Sequence, residues 1–349
     1  MYRRSFLTLL SATAVGATLA SCSTGSTEDD APEGPGAATS GAAKVAADAF
    51  PVSVKHVYGT TTVESEPKRI ATIGYTDSEV LLSIGVVPIG APKITYGGNK
   101  QFSTDHFDAE LKKVGGKQPA RFSDADGTPV DEIVKMNPDL IVATNSGVTQ
   151  EEYDKLTKIA PVIAYPDKAY GTPWQTSLAM LGKAVGRPTE AAKVKTRTEK
   201  VIKDGLAKYP ELEGKTGAWA TFNPADTSKF GFYTSFDLRP RMLKEFGLDV
   251  PPVVQKASEK TDKFSVDMSS EKASDFDADV VVFYVVEKGQ TSKLQKHPLL
   301  GKIPAIKSGA FVASDNPDID AKMSAASPLS IPLAVRDFMP LLAAAAKKA

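Results

Sequence analysis

Short apolar blocks along the chain alternate with amphipathic stretches of helical spacing. From residue 69, RIATIGYTDSEVLLSIGVVPIG begins with an apolar strand that ends in a Gly/Tyr/Thr/Asp turn, and continues as a helix followed by a second short apolar strand. Further on, VDEIVKMNPDLIVAT has the pattern of a short helix, an Asn-Pro turn and a buried strand. These patterns predict parallel strands that are covered by helices.

The second half of the chain repeats this order of elements. GAWATF predicts a strand, DLRPRMLKEFGLDV a turn and a helix, and SSEKASDFDADVVVFYV a helix followed by a strand. Asp131 precedes Asp139 by eight residues, and Glu271 precedes Asp279 by the same eight. We therefore expect an α/β fold with two Rossmann-like lobes of similar plan, each built on a parallel sheet.

A helical stretch separates the two halves. GRPTEAAKVKTRTEKVIKDGLAKYP has Pro188 where a first helical turn tolerates it and Pro210 where the helix must stop. A helix of about 20 residues spans about 30 Å, which is long enough to join two lobes. We expect an N-terminal lobe over 51–170, a helical crossover with the interlobe helix over 171–210, and a C-terminal lobe over 211–349. The cleft between the lobes is the expected ligand site.

The N-terminus has the pattern of an export signal. In residues 1–21, two arginines precede an apolar run that is shorter than the roughly 20 residues of a membrane-spanning helix. The next residue, Cys22, completes LASC, which resembles the lipobox of bacterial lipoproteins, so we expect a lipid on its sulfur. Residues 22–50 are rich in Gly, Ser, Ala and Pro and predict a flexible, lipidated tether. RRSFL fits a twin-arginine signal and an ordinary basic segment equally well.

Composition excludes several classes of site. The chain has 42 Lys and Arg and 42 Asp and Glu, and no basic tract, so nucleic acid is not an expected partner. One cysteine allows neither an intramolecular disulfide nor a cysteine zinc ribbon. The histidines are scattered without an H-x-x-x-H spacing, so we expect no metal site and predict that each is a solvated loop residue: His56, His106 and His297.

Several segments together resemble a known family. They are PKRIATIG, LLSIGVVPIG, DEIVKMNPDLIVATNSGVTQEEYDKLTKIAPVIAY, PWQTSLAMLGKAVGRPTEA, LLGKIPAIKSGAFVA and SPLSIPLAVRDFMPLL. In this order they resemble the class III substrate-binding lipoproteins of ABC importers, in the iron–siderophore and cobalamin group, over roughly residues 52–343. The resemblance implies a monomeric binding protein without catalysis or cofactor on the outer face of the cell membrane. Its implied partners are a ferric siderophore, a permease and the permease's ATPase. Haem or cobalamin is the alternative cargo on the same scaffold.

The expected binding residues follow from the chemistry of a ferric siderophore, whose organic shell already supplies the iron ligands. Guanidinium groups suit anionic oxygens, and aromatic rings stack on chelates at low entropic cost. Arg239 and Arg241 lie at a predicted loop-to-helix turn, and we expect one to reach the cleft while the other braces a lobe. The remaining candidates lie at predicted strand ends or loops: Arg121, Tyr75, Tyr96, Asn145, Ser146, Trp174, Tyr233 and Tyr284.

The resemblance also implies a docking role for one acid in each lobe. In the family, an acid at each of these positions forms a salt bridge with a permease arginine. The matching positions are Asp131, whose neighbour Glu132 is the alternative, and Glu271.

A penicillin-binding enzyme is the competing class. S-x-x-K occurs at 269–272, S-D-N at 314–316 and K-T-G at 215–217. That fold requires S-x-x-K first and K-T-G last, whereas K-T-G comes first here. We therefore predict that the chain has no catalytic residues.

Overall fold

The computed structural model describes residues 45–349, so the predicted signal peptide, Cys22 and most of the tether lie outside the described residues. The described part opens with an antiparallel hairpin of β1 (Val52–His56) and β2 (Gly59–Val63). The hairpin was not predicted. Thr61 attaches it to the N-terminal lobe, because its hydroxyl donates to the carbonyl of Val162 at 2.6 Å.

His56 belongs to this hairpin and is 3% exposed, so its prediction as a solvated loop residue is wrong. Its Nε2 lies 2.9 Å from the Thr61 hydroxyl, and burial lowers the pKa of the imidazole.

The N-terminal lobe has a five-stranded sheet in the order β5-β4-β3-β6-β7, with every neighbouring pair parallel. A strand of this sheet is fully apolar where both of its faces are covered, as in the strand Leu140–Ala143, whose sequence is LIVA. In chain order the elements are β3 (Ile70–Thr72), α1 (Asp77–Ser83), β4 (Gly90–Pro92), α2 (Asp105–Lys113), β5 (Ala120–Phe122), α3 (Val130–Lys135), β6 (Leu140–Ala143), α4 (Gln150–Leu156) and β7 (Val162–Ala164).

Two helices follow before the second sheet begins. They are α5 (Trp174–Ala184) and α6 (Pro188–Leu206), and a short 3-10 helix, Pro210–Leu212, comes after them. Pro188 occupies the first turn of α6, where its missing N–H costs no hydrogen bond. The predicted crossover therefore contains two helices in sequence.

The C-terminal lobe has a five-stranded sheet in the order β10-β9-β8-β11-β12. The elements are β8 (Gly217–Asn223), β9 (Asp226–Tyr233), α7 (Leu238–Glu245), α8 (Pro252–Ser258), β10 (Ser265–Ser269), β11 (Val280–Tyr284), α9 (Gln290–Lys296), α10 (Pro304–Ser308), β12 (Phe311–Ser314), α11 (Pro317–Ser324), α12 (Ile331–Asp337) and α13 (Met339–Ala346). Short 3-10 helices lie at Ser270–Asp275 and Leu300–Lys302.

This second sheet is mixed, whereas the sequence predicted two parallel sheets. β8, β11 and β12 are parallel, but β9 pairs antiparallel with both β8 and β10. The physical reason is a tight hairpin: β8 ends at Asn223 and β9 begins at Asp226, which leaves no room for a crossover helix.

The repeated aspartates have equivalent roles in the two lobes. Asp139 accepts hydrogen bonds from the backbone N–H groups of Lys68 and Arg69 at 2.7 and 2.8 Å, just before β3. Asp279 accepts from the backbone N–H and the hydroxyl of Thr216 at 2.7 and 2.8 Å, just before β8. In each lobe one carboxylate thus holds the start of a strand that leads towards the cleft.

The core is continuous between the lobes. α6 contacts both α5 and α12, and one cluster of buried side chains includes Ile70 of β3, Trp219 of β8 and Leu342 of α13. The lobes are therefore joined by buried apolar packing as well as by the chain connection. Among residues 45–349, no helix combines the length and the apolar character needed to cross a membrane.

Candidate ligand-binding cleft

Two cavities lie where the strand ends of the lobes face each other. The first, of about 240 Å³, is lined by Tyr75 and Lys93 of the N-terminal lobe and by Ser324 of α11. The second, of about 360 Å³, is lined by Arg239, Tyr284 and Asp320 of the C-terminal lobe. Tyr96 lines both, so we treat the two cavities as one cleft.

A larger cavity, of about 530 Å³, lies against α7 and α8 and is lined by Arg241, Lys244 and Asp249. Its lining residues all come from the C-terminal lobe and include no aromatic side chain. We place the candidate site in the cleft instead, because residues from both lobes and most of the predicted aromatic side chains converge there.

Arg239 is held in the cleft by three neighbours. Its Nη1 lies 2.7 Å from Oδ2 of Asp237, which also caps α7 by accepting the Arg239 backbone N–H at 2.9 Å. Its Nε donates to the Tyr284 hydroxyl at 2.8 Å, and its guanidinium lies 4.1 Å from the centre of the Tyr233 ring. Burial raises the pKa of Tyr284 to about 12, although Arg239 opposes the shift. The phenol is therefore neutral and can donate or accept a hydrogen bond.

Arg241 points away from the cleft. Its Nε donates to the carbonyl of Ser235 at 3.0 Å and its Nη1 to the carbonyl of Gly171 at 2.6 Å. Burial lowers the pKa of this guanidinium. Of the two arginines, Arg239 thus faces the cleft and Arg241 braces the chain segment that leads into α5.

Tyr75 and Tyr96 reach from the N-terminal lobe to α11. The Tyr75 hydroxyl donates to the carbonyl of Ser324 at 2.7 Å, and burial raises its pKa. The Tyr96 hydroxyl donates to Oδ2 of Asp320 at 3.1 Å, and its ring centre lies 6.1 Å from that of Tyr284. The structure therefore brings four predicted tyrosines, two from each lobe, together with Arg239.

The turn that carries Tyr75 is tightly packed. Gly74 precedes it, and a Cβ at Gly74 would overlap the carboxyl group of Asp77. That carboxyl accepts the backbone N–H of Thr144 at 2.7 Å, which links the end of β3 to the end of β6. Burial raises the pKa of Asp77 to about 6, against the opposing effect of its hydrogen bonds with Thr144.

Trp174 is not in the cleft. It is 4% exposed and belongs to the main core cluster, so the expectation of an indole that stacks on the ligand is wrong. Trp174 is the first residue of α5 and lies on the buried face of this helix, together with Leu178 and Leu181. The other tryptophan, Trp219, lies beneath the cleft. The centre of its ring is 5.4 Å from the centre of the Tyr284 ring.

Arg121 and Ser146 hydrogen-bond to neighbouring chain segments, whereas Asn145 is buried beside the cleft residue Tyr75. Arg121 lies in β5 rather than in a loop, and donates to the carbonyl of Pro92 at 3.1 Å and the Ser103 hydroxyl at 2.9 Å. Asn145 is 1% exposed and its amide lies 3.2 Å from the Thr76 hydroxyl. The Ser146 hydroxyl donates to the carbonyl of Ala143 at 2.9 Å, as a turn residue does.

A buried ion pair that the sequence did not predict lies at one end of the cleft. Glu79 of α1 lies 2.9 Å from Nε2 of His106, and their side chains are 11% and 12% exposed. Glu79 also accepts from the hydroxyl of Thr104 at 2.9 Å and from that of Ser327, beyond α11. The prediction of His106 as a solvated residue is therefore wrong. His297 is half-buried, and its Nδ1 accepts backbone N–H groups at the end of α9.

The ion pair should make stability depend on pH. Burial alone would lower the pKa of His106, but the negative charge of Glu79 outweighs burial, and the pKa is raised. Stabilisation by His106 is therefore present below pH 6.5 and is lost as the pH rises through the folded-state pKa. Burial alone would raise the pKa of Glu79, but its partners lower it, so stabilisation by Glu79 is present above pH 4.5 and is lost as pH falls. Between pH 4.5 and pH 6.5, Glu79 and His106 therefore both stabilise the folded protein.

We therefore expect Glu79→Gln to lower the free energy of unfolding by about 1–3 kcal/mol near pH 5.5, and by less near pH 9, where His106 is neutral in both proteins. Urea unfolding of the parent and the variant at both pH values measures this. An equal difference at the two pH values would contradict the assignment of a charged pair.

Asp131 and Glu271 are both exposed, one on each lobe. Asp131 lies in the first turn of α3, and Glu271 lies in the first turn of the 3-10 helix Ser270–Asp275, where its N–H donates to the Ser269 hydroxyl. Within the part of the chain that the structure describes, neither has an ion-pair partner. Both carboxylates are therefore available to another molecule.

The three penicillin-binding motifs do not come together. Ser269 ends β10 and Ser314 ends β12, which are the two opposite edge strands of the five-stranded sheet. Four strand spacings of about 4.8 Å separate these edges, or about 19 Å. Their positions provide no shared site for a serine, a lysine and an asparagine.

Comparison with known proteins identifies the family. The model of the family described as periplasmic binding protein matches residues 70–317. The chain belongs to the periplasmic binding protein family. Among curated relatives of this binding protein, the probable siderophore-binding lipoprotein YfiY of Bacillus subtilis is 26% identical over 74% of this chain and 78% of its own length. The ferric enterobactin-binding periplasmic protein FepB of Escherichia coli is 25% identical over 77% of this chain and 85% of its own.

A solved structure extends the likeness to the whole fold. PiaA of Streptococcus pneumoniae in complex with ferrichrome is 37% identical, and covers 85% of this binding protein and 99% of its own chain with a TM-score of 0.79. The predicted α/β fold with two lobes is therefore confirmed, with the mixed second sheet as the difference described above.

Proposed function

We propose that this protein is an extracytoplasmic, lipid-anchored binding protein that captures a ferric siderophore and delivers it to an ABC permease and its ATPase. The observation that carries the proposal is the convergence of Arg239 with Tyr75, Tyr96 and Tyr284 in one cleft between the lobes, where the ring of Tyr233 supports the Arg239 guanidinium. Phenol hydroxyls and a guanidinium recognise the oxygen-rich organic shell of a chelate, and they need not replace any of its iron ligands. The names of the relatives, which include a siderophore-binding lipoprotein and a ferrichrome complex, support the same cargo class.

Iron uptake by cells tests this proposal. Deletion of the gene should reduce the uptake of radiolabelled iron from at least one ferric siderophore, and a plasmid copy of the parent should restore it. Unchanged uptake from hydroxamate, catecholate and citrate chelates would contradict the proposal.

The proposed anchor gives a separate prediction. Cys22→Ser removes the sulfur that would carry the lipid, and a single or double acyl chain is the anchor expected to hold a protein of this kind at the membrane. We expect the variant to move from the membrane fraction to the soluble or precursor fraction in immunoblots. Cys22→Ala should behave in the same way. Unchanged membrane association of both variants would rule out this anchor.

A further inference from the structure

One carboxylate in the cleft has no cation of its own. Asp320 of α11 is 1% exposed, and its Oδ2 accepts the Tyr96 hydroxyl at 3.1 Å. Burial raises the pKa of this carboxyl, and the hydroxyls of Ser314 and Tyr96 oppose the shift. Its Oδ1 is buried and makes no hydrogen bond within residues 45–349. A buried carboxylate without full hydrogen bonding is costly, so such a group is retained where it has a task.

Arg239 does not neutralise Asp320. The guanidinium is already paired with Asp237 at 2.7 Å, and both side chains are largely buried, at 22% and 13% exposure. At the other end of the cleft, Glu79 and His106 form a second closed pair. Each of the two pairs has no net charge when both of its partners are ionised. Neither pair therefore offsets the negative charge of the Asp320 carboxylate.

The remaining charged groups that line the cleft do not offset the negative charge of Asp320. Lys93 and Asp124 line the first cavity and offset each other, and Asp315 adds a further carboxylate to the second. Asp124 and Asp315 are exposed, so water and salt screen them more than they screen Asp320. The cleft as a whole is neutral to acidic.

This charge balance distinguishes between ferric chelates. Three catecholates leave a ferric complex with several negative charges, whereas three hydroxamates leave it uncharged, and a free amine on the chelator makes it cationic. A polyanion next to Asp320 would meet like charge without a surplus cation, and like-charge contact is an effective way to reject a ligand. An uncharged or cationic chelate meets no such penalty.

We propose that the cleft takes an uncharged or cationic ferric hydroxamate, and that Asp320 is the specificity-determining residue that rejects polyanionic ferric chelates. The inference rests on the proposed function. Tyr96 covers the carboxylate of Asp320 through its hydroxyl, but Tyr96 is itself 49% exposed, so outward rotation of its side chain would open the carboxylate to a ligand. An amide N–H or an ammonium group of the ligand then replaces the tyrosine hydroxyl as donor.

Calorimetric titration of the purified protein with three probes tests this inference. Ferrichrome is an uncharged hydroxamate, and ferrioxamine B is a cationic one. Ferric enterobactin, the third probe, is a polyanionic catecholate. We expect the parent to bind at least one hydroxamate about tenfold or more tightly than ferric enterobactin. Asp320→Asn keeps the shape and still accepts the Tyr96 hydroxyl, but it lacks the charge. It should bind ferric enterobactin about tenfold more tightly than the parent does, with ferrichrome affinity changed less than about threefold.

Glu259→Gln is the control, because it removes one exposed carboxylate of the C-terminal lobe that does not line the cleft, and it should leave the preference unchanged. If Asp320→Asn does not fold, the parent alone decides the ligand class: it should bind ferrichrome or ferrioxamine B about tenfold or more tightly than ferric enterobactin.

The possible failures are distinguishable. A parent that prefers ferric enterobactin would overturn the inference and leave the proposed function intact. An unchanged preference in Asp320→Asn would overturn the role of Asp320. Binding of none of the three probes would overturn the inference, whereas the proposed function would then be decided by the uptake of iron from other ferric siderophores.

Discussion

Charge reversal at Asp131 and Glu271 together is expected to abolish iron uptake while ferric-siderophore binding stays unchanged. Both carboxylates are exposed and lie on different lobes, and neither lines the cleft. If each pairs with a permease arginine, lysine at both positions replaces two attractions by two repulsions. Such a change alters association with the permease without touching the ligand site.

A matched control separates docking from a general effect of charge. Glu64→Lys with Glu259→Lys makes the same change in net charge at one exposed acid of each lobe, and should leave uptake normal. Uptake of radiolabelled iron in cells and calorimetric titration of the purified proteins give the two readouts. Normal uptake by the Asp131→Lys/Glu271→Lys protein, or loss of its ligand binding, would rule out the docking role.

Removal of the Arg239–Asp237 pair is expected to weaken ferric-siderophore binding by about 10- to 150-fold. The estimate follows from about 1.5–3 kcal/mol for a hydrogen bond from a charged donor. Arg239→Ala alone would leave Asp237 buried without its partner, so the variant of choice is Arg239→Ala/Asp237→Asn. Asparagine keeps the cap of α7, and the free energy of unfolding should change little.

Arg241→Ala is the control for this prediction. Its guanidinium holds the carbonyl groups of Ser235 and Gly171 outside the cleft, so the variant should bind ligand within about threefold of the parent but unfold at a lower temperature. Calorimetry and thermal unfolding measure the two effects. Equal loss of ligand affinity in both variants would contradict the different roles of the two arginines.

The sequence predicts the helices and strands that have a regular pattern of apolar and polar residues. The strands of the first sheet are apolar runs bounded by turn residues, and the repeated spacing before Asp139 and Asp279 marks equivalent strand starts in the two lobes. The β8–β9 hairpin escaped prediction because the polar half of β9, DTSK, does not follow the apolar pattern of a buried strand. Trp174 was misplaced because sequence alone does not show which way the first turn of a helix faces.

The sequence predicts the tyrosines of the cleft but not its buried charged groups. Tyrosines at strand ends lie near the cleft because the carboxyl ends of parallel strands share one edge of a sheet. Asp320 and the Glu79–His106 pair depend on contacts between segments far apart in the chain, with Ser327 separated from Glu79 by 248 residues. No local pattern shows such a contact. The charge balance of the cleft became visible only once the partners of each carboxylate were known.

Native mass spectrometry of the purified protein in an equimolar mixture of ferrichrome, ferrioxamine B, ferric enterobactin, haem and cobalamin tests the central claim most directly. The exact mass of the bound species identifies the cargo class in one spectrum. We predict one ferric siderophore per chain, and its loss in the Arg239→Ala/Asp237→Asn variant. Binding of haem or cobalamin in place of every siderophore would contradict the account.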